Sequence, residues 1–514
     1  MRNRILRQAI AASFLLGAFS TLWAQQASSS AVSQAAASKP NIIFILADDL
    51  GWQDVGFMGS KYFETPNLDA LAAESLVLEN TFMYPTCSPS RAAILTGQQS
   101  FRTGCYTVPV LEKGSSKDNI FSKWTVGEEH AVFSQPLKEA GYKLIHLGKW
   151  HIVGPNPESE TSLLPEKKLA QPNNGNLSWL AAHQTPEIQK YYPIGRGFDE
   201  NVGGTWWGDP ARGYQKGYGA PGGGYVAPFK NPFIEDKAND DWLTDRLTDD
   251  AIDFMERHKD APFFVNLHYY APHRPSIPRS EELQAHFMSK KGDPSTGQGM
   301  GPAKKKKEVA DYATMIKSID DNVKRILDYL DGAGLRENTV IVFTSDNGFN
   351  GLQSSNKNLR GAKGNVYDGG LRVPALINWS KHVSPGKVDT AVQGLDLFPT
   401  FLELAGVNDY TGTLDGDSLV PLMQGKALKD RPIFWHVAST YKDPPCSIIR
   451  KGEWKLIQYL KNGNVELYNT KTDLKESQDL AKSHPEMAQR LLSELVAWRK
   501  ANAVPLPPSS SLKN

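Results

Sequence analysis

NIIFILADD, residues 41–49, is an apolar run after Asn41 that ends abruptly in two carboxylates, Asp48 and Asp49. The pattern returns as TVIVFTSDNG at residues 339–348, ending in Ser345, Asp346, Asn347 and Gly348. Continuous apolar runs of this length suit strands covered on both faces, as in a parallel sheet flanked by helices. Residues 263–270 (FFVNLHYY) and 144–147 (LIHL) are shorter strand candidates. Each of the four is followed directly by polar, reactive residues. Ligands in open α/β sheets sit beyond the carboxyl ends of the strands, so these four ends mark the expected site.

Helices are expected between the strands. Thr65-Pro66 has the form of an N-cap followed by proline at the first helical position, with Leu68, Leu71, Ala72 and Leu76 on one face. Val309, Tyr312, Ile316, Ile319, Val323, Ile326, Leu327 and Leu330 keep helical spacing until Gly332. The alternation gives an α/β class: a large, mostly parallel sheet flanked by helices over residues 39–430. From about Arg431 the pattern changes. Residues 433–437, 447–450, 454–459 and 465–468 read as short antiparallel strands, followed by a helix over 485–500. This predicts a smaller C-terminal α+β subdomain over residues 431–514.

Lys plus Arg (57) nearly cancels Asp plus Glu (56) over 514 residues, so no global field draws nucleic acid or an anionic membrane. At the N-terminus, Arg2, Arg4 and Arg7 precede an apolar stretch over residues 9–19 and then Leu22-Trp23-Ala24. That is the form of a signal peptide over residues 1–24, and it is too short for a membrane span. An Ala/Ser/Gln leader over 25–38 reads as disordered. Export to the periplasm or beyond is expected, although Asn176 and Asn378 each open an Asn-x-Ser sequon. Cys87, Cys105 and Cys446 make an odd count for an exported chain: one thiol is left free or one is chemically special, and Cys105 and Cys446 could pair. Residues 209–229, rich in Gly, Tyr and Pro, and residues 288–307, ending in Lys304 to Lys307, read as long irregular loops. The lysine run suits a solvated tether, and the aromatic loop suits stacking on sugar rings.

The most specific chemistry is in Cys87-Ser88-Pro89-Ser90-Arg91, continuing to Leu95-Thr96-Gly97. A nucleophile candidate stands where a loop turns into a helix, with an arginine one turn on, and the helix start favours an anion. Taken alone, the same residues describe a buried structural cysteine. Asp48, Asp49, Asp346 and Asn347 offer only hard oxygen donors, which suits Ca²⁺ or Mg²⁺ rather than zinc. Pair by pair they would be ordinary turn or cap residues.

The cysteine segment resembles the first signature of the type I sulfatases, within the alkaline phosphatase superfamily. Gly141-Tyr142 with Gly148-Lys149-Trp150-His151 is similar to the second signature of that family. Ala47-Asp48-Asp49, Ala271-Pro272-His273, Ser345-Asp346-Asn347-Gly348 and residues 359–364 (LRGAKG) match in family order. The spacing departs in one place, where Ile152-Val153 precede Gly154. The resemblance implies an alkaline-phosphatase-like mixed sheet and conversion of Cys87 to formylglycine by a maturase, which would account for the odd cysteine count. It also implies one Ca²⁺, with Mg²⁺ as the alternative, held by Asp48, Asp49, Asp346, Asn347 and residue 87. Arg91 and Lys149 would hold the formylglycine hydroxyls, and Lys149 with Lys363 would neutralise sulfate oxygens. Asp346 would accept a proton during attack on sulfur, His273 with Lys363 would protonate the leaving alcohol, and His151 would deprotonate the second hydroxyl. The expected activity is hydrolysis of a sulfuric ester on a sulfated carbohydrate. A phosphomonoester or phosphonate hydrolase, and a non-catalytic carbohydrate-binding protein, are the competing readings.

Overall fold

The computed structural model describes residues 39–154, 186–210, 224–229, 231–235, 237, 241–291, 302–351 and 358–512. The expected signal peptide and leader, residues 1–38, lie outside the described residues, as do most of 209–229 and residues 292–301. An 8-stranded sheet runs in the order β10 (Gly386–Val388), β2 (Leu76–Leu78), β9 (Ala375–Trp379), β7 (Thr339–Ser345), β1 (Asn41–Ala47), β6 (Phe263–His268), β4 (Lys143–Gly148), β5 (Glu200–Val202). From β7 to β5 every pairing is parallel, whereas β9 is antiparallel to both neighbours, so the sheet is mixed but mostly parallel.

β1 shows why its sequence is an unbroken apolar run. Ile43, Ile45 and Ala47 enter one core cluster, while Ile42, Phe44 and Leu46 enter the other on the opposite face. All six are fully buried. At about 1.5–3 kcal/mol for each large side chain removed from water, neither face could be polar without a large loss. The first cluster is closed by α3 (Leu243–Arg257) and α5 (Pro302–Gly332), with α1 (Pro66–Ala73) and α4 (Glu281–Ser289) beside them. The second is closed by α2 (Cys87–Thr96) and α6 (Leu397–Leu404).

Several sequence expectations change. Thr65 is the N-cap of α1, but its hydroxyl donates to Asp69 Oδ1 (3.0 Å) instead of capping the helix. Leu76 lies in β2 rather than on the helix, because Glu74 ends α1. The lysine run is not a loop: Lys304–Lys307 belong to the first turns of α5, and Lys307 pairs with Asp311 one turn on at 2.8 Å. Cys105 and Cys446 are buried and free, so they do not pair. Asn378 is buried in β9 and donates to Glu74 O at 2.9 Å, which is no surface glycan acceptor.

Within the compact unit Pro40–Asn514, a 3-stranded sheet of β11 (Val392–Gln393), β3 (Thr81–Phe82) and β8 (Arg372–Val373) leads to the C-terminal layer. There β12 (Ile433–Val437), β13 (Cys446–Lys451), β14 (Trp454–Tyr459) and β15 (Val465–Asn469) form an antiparallel meander. One face packs Trp435, Ile448 and Ile457 against Phe82, Tyr84 and Leu371. The other packs Ile449, Leu456 and Leu467 against Leu491 and Leu495 of α7 (Pro485–Ala501). Buried charge ties the two layers. Lys455 Nζ reaches Asp368 Oδ1 (2.8 Å) and Glu476 Oε1 (2.7 Å), and Arg450 reaches Asp368 Oδ2 at 3.1 Å. Burial pushes the Glu476 carboxyl up to about 7, with Lys455 opposing and Asp368 assisting. Among the described residues no helix is long and apolar enough to cross a membrane.

Candidate active site

β7, β1, β6 and β4 are consecutive neighbours, and their register brings their carboxyl ends level: Ala47 faces Ser345, Leu46 faces His268, and Gly148 faces His268. The four polar motifs therefore meet along one edge, with hydrogen bonds that span 297 and 298 positions of sequence. Gly148 makes the turn out of β4 at φ +87°, and a Cβ there would fall 2.0 Å from His268 O. Only glycine fits, and the turn delivers Lys149 to the site. Asp49 (φ 66°) and His151 (φ 59°) hold left-handed backbone, a conformation that costs non-glycine residues roughly 1–3 kcal/mol and that clusters at functional sites.

Cys87 is the first residue of α2, buried, and followed one turn on by a fully buried Arg91. Its Sγ and carboxylate oxygens of Asp48 and Asp346 all lie within 4.8 Å of one another. Arg91 Nε donates to Asp346 Oδ2 at 3.0 Å, with Nη2 2.9 Å from the same oxygen, and Nη1 donates to Lys149 O at 2.8 Å. Lys149 Nζ lies 2.6 Å from Asp48 Oδ2, and Lys363 Nζ lies 2.6 Å from Asp49 Oδ1. Asn347 Nδ2 donates to Asp49 Oδ1 at 2.7 Å, and the Asp49 N–H donates to Asp346 Oδ1 at 3.1 Å. Every predicted metal ligand is thus in one cluster, interleaved with three of the predicted cations.

Three oxygens in that cluster, Asp48 Oδ1, Asp49 Oδ2 and Asn347 Oδ1, are buried and accept no hydrogen bond among the described residues. Buried polar atoms without partners are costly and call for an explanation. A hard divalent cation bound by these oxygens supplies one, and no soft donor besides Cys87 competes. The donor set fits Ca²⁺ or Mg²⁺. Burial and the neighbouring Asp346 raise the Asp48 carboxyl well above its ordinary range, against the pull of Lys149. For Asp49, burial acts upward but Lys363, His273 and Lys149 outweigh it and hold the carboxyl well below its ordinary range. Three carboxylates face Arg91, Lys149 and Lys363, so a bound dication would leave the pocket positive and suited to an anionic ester.

Burial pushes the Cys87 thiol up, only partly offset by Lys149 and Lys363. The unmodified side chain is a protonated thiol at neutral pH and a poor nucleophile. His151 Nδ1 lies 3.4 Å from Ser88 Oγ, beside residue 87, and Gly208 closes on its ring so tightly that a Cβ would fall 2.9 Å from Nε2. His273 Nε2 lies 3.6 Å from Asp49 Oδ2. Its Nδ1, 2.7 Å from Arg274 O, carries the proton, because a carbonyl only accepts. That leaves Nε2 to exchange a proton with the pocket. Burial and Lys363 hold this imidazole well below its usual value.

The sequence did not single out the layer beneath Arg91. His268 Nδ1 lies 3.2 Å from Arg91 Nη1, with Phe44 and His146 edge-on to its ring, and Asn266 Nδ2 lies 2.9 Å from His146 Nδ1. Burial and Arg91 keep His268 neutral, so it can receive an arginine N–H. The sequence shows His146, Asn266 and His268 inside apolar strand runs, but not that one of them braces a buried arginine. Tyr225, in the aromatic stretch expected to stack on sugars, is instead buried and donates to the carbonyls of Tyr270 (2.7 Å) and His273 (2.9 Å).

Residues 40–407 match the profile of the family described as "Sulfatase", and residues 362–501 match "N-sulphoglucosamine sulphohydrolase, C-terminal". A "Sulfatase" of Formosa agariphila is 28% identical over 542 residues, covering 93% of this chain and 92% of that protein. The human N-acetylgalactosamine-6-sulfatase is 30% identical over 426 residues, covering 78% of this chain and 69% of the relative. The crystal structure of Ps i-CgsB in complex with k-i-k-neocarrahexaose superposes with a TM-score of 0.68 at 29% identity, covering 92% of this chain and 95% of that one.

Proposed function

The chain belongs to the sulfatase family of the alkaline phosphatase superfamily, and from that premise we propose that it removes sulfate from a sulfated carbohydrate using a formylglycine at position 87 and one Ca²⁺. The observation that carries this is the meeting of a buried, protonated Cys87 with three unsatisfied oxygens and three cations. The named relatives, an N-acetylgalactosamine-6-sulfatase and a structure holding neocarrahexaose, support a saccharide substrate.

Asp48, Asp49, Asp346, Asn347 and residue 87 would hold the ion, which would supply Lewis-acid polarisation of a sulfate oxygen. Formylglycine supplies a geminal diol whose hydroxyls serve in turn as nucleophile and as the group that expels sulfate. Arg91 and Lys149 orient these hydroxyls. Lys149 and Lys363 lie against sulfate oxygens and stabilise charge developing in the transition state. Asp346 accepts the proton of the attacking hydroxyl. His273, with Lys363 beside it, protonates the departing alcohol oxygen from Nε2, which first takes up a solvent proton as the anionic ester binds next to the imidazole. His151, held by Ser88 and Gly208, takes the proton of the second hydroxyl. Maturation requires a formylglycine-generating partner, and the basic-then-apolar start of the chain supports export, periplasmic or secreted.

Matured protein is to be offered 4-nitrophenyl sulfate, 4-nitrophenyl phosphate and a panel of sulfated oligosaccharides of defined linkage. The expected result is sulfate release from at least one saccharide and faster turnover of the aryl sulfate than of the phosphate. Much faster phosphate turnover would replace this reading with the phosphomonoesterase one.

A further inference from the structure

Catalytic Lys363 is followed by Gly364, whose φ is +88° and whose N–H donates to Pro85 O at 2.6 Å, two residues before Cys87. A Cβ on Gly364 would fall 2.5 Å from the Tyr441 ring and 3.2 Å from Lys442 Cδ. The connector between β12 and β13 therefore lies directly against the backbone that carries Lys363. It is anchored on both sides. Lys113 N–H donates to Thr440 O (2.9 Å) and Thr440 N–H to Asn119 Oδ1 (2.7 Å), while Asp443 Oδ2 accepts from Val366 N–H (2.8 Å) and Asn365 Nδ2 (3.1 Å). From the other side, Arg274 follows His273 and directs Nη2 to within 3.6 Å of where a Gly351 Cβ would sit.

The charges at this mouth do not balance. Asp49 is already engaged by Lys363 and Asn347, and Asp443 by two N–H donors. Among the described residues, neither Lys442 nor Arg274 has an ion-pair partner within 4.0 Å. Lys442 is nonetheless close enough to be affected by its neighbours: partial burial and Lys363 push its ammonium down, Asp443 and Asp49 oppose, and Arg274 adds to the repulsion. Two exposed cations without an ion-pair partner, on either side of a pocket for an anionic ester, suit a further anion.

We propose that Lys442 and Arg274, with the Tyr441 ring beside them, form a subsite for a second anionic group, a carboxylate or a further sulfate, on the saccharide that carries the scissile sulfate. The subsite rests on the sulfatase reading above and gives the C-terminal layer a role in substrate choice. The scissile ester sits at Lys149 and Lys363, while the second anion meets Lys442 and Arg274 at the rim.

The test compares kcat/KM for 4-nitrophenyl sulfate, a disulfated disaccharide and a monosulfated disaccharide containing a uronate. The proteins are matured wild type, Lys442→Gln, Arg274→Gln and, as a charge-matched control in the exposed turn after α3, Lys259→Gln. Lys442→Gln and Arg274→Gln are expected to lower kcat/KM for a two-anion saccharide about tenfold more than for the aryl sulfate, mainly through KM, with the discrimination of the wild type shrinking as salt rises. Loss on the disulfated substrate, on the uronate or on both supports the subsite and identifies its anion. Equal losses on all three substrates, no loss, or the same pattern in Lys259→Gln would overturn it. A wild type inert on every sulfate would sink the function itself, and the subsite with it.

Discussion

Arg91 is the side chain through which the nucleophile, the ion site and the strand beneath them are joined. Its guanidinium serves Asp346 through two nitrogens and reaches Lys149 O and His268 Nδ1 with the third, all without solvent. A lysine keeps the charge but cannot present this planar fork. Arg91→Lys in matured protein should lower kcat on 4-nitrophenyl sulfate by about 10²–10³-fold, the range for losing a preorganised donor at a reacting centre. An unchanged kcat would show that the fork is not part of the machinery. The Cys-to-Arg spacing exposed Arg91 in the sequence, because position 91 is one helical turn from position 87 on α2. His268 escaped notice because nothing in FFVNLH distinguishes a buried histidine that braces an arginine from one that fills a strand.

Among the secondary-structure elements, legibility followed burial and length. β1 and β7 were plain because both faces of each are buried, which forces unbroken apolar runs over 42–47 and 340–343 inside seven-residue strands. β2, β5 and β10 hold three residues each, too few for a periodicity to register, and β2 therefore merged with α1 in the sequence. The start of α5 was misread because four lysines look like a tether, yet lysine is a good helix former and Lys307 finds Asp311. The C-terminal meander was legible as strands, but its attachment through Asp368, Arg450, Lys455 and Glu476 was not, since the contacts that join the four span 21 to 108 residues of chain. That cluster has a pH signature. The folded Glu476 carboxyl sits at about 7, above its ordinary value of 4.5, so its contribution to stability is complete below about pH 4.5 and is lost as pH rises through 7. Glu476→Gln should remove that dependence: relative to the variant, wild type should lose on the order of 1–3 kcal/mol between pH 4.5 and 8, read as a falling difference in Tm. Parallel pH profiles for the two proteins would place the carboxyl at an ordinary value.

For the molecule as a whole, the catalytic groups run from Asp48 to Lys363, and the four strand ends that carry most of them are adjacent only because β7, β1, β6 and β4 pair in that order. The sequence displayed the motifs and their order, while the spatial order of strands and the approach of the 438–445 connector to Lys363 needed the fold. The oxygen set, the cations and the histidines all take their proposed roles from one modified side chain. Its tryptic peptide, ending at Arg91, is therefore the most direct place to look. Mass spectrometry of active protein matured in its native host should find residue 87 with an aldehyde oxygen in place of the thiol and one hydrogen. An intact cysteine in fully active protein would contradict the account.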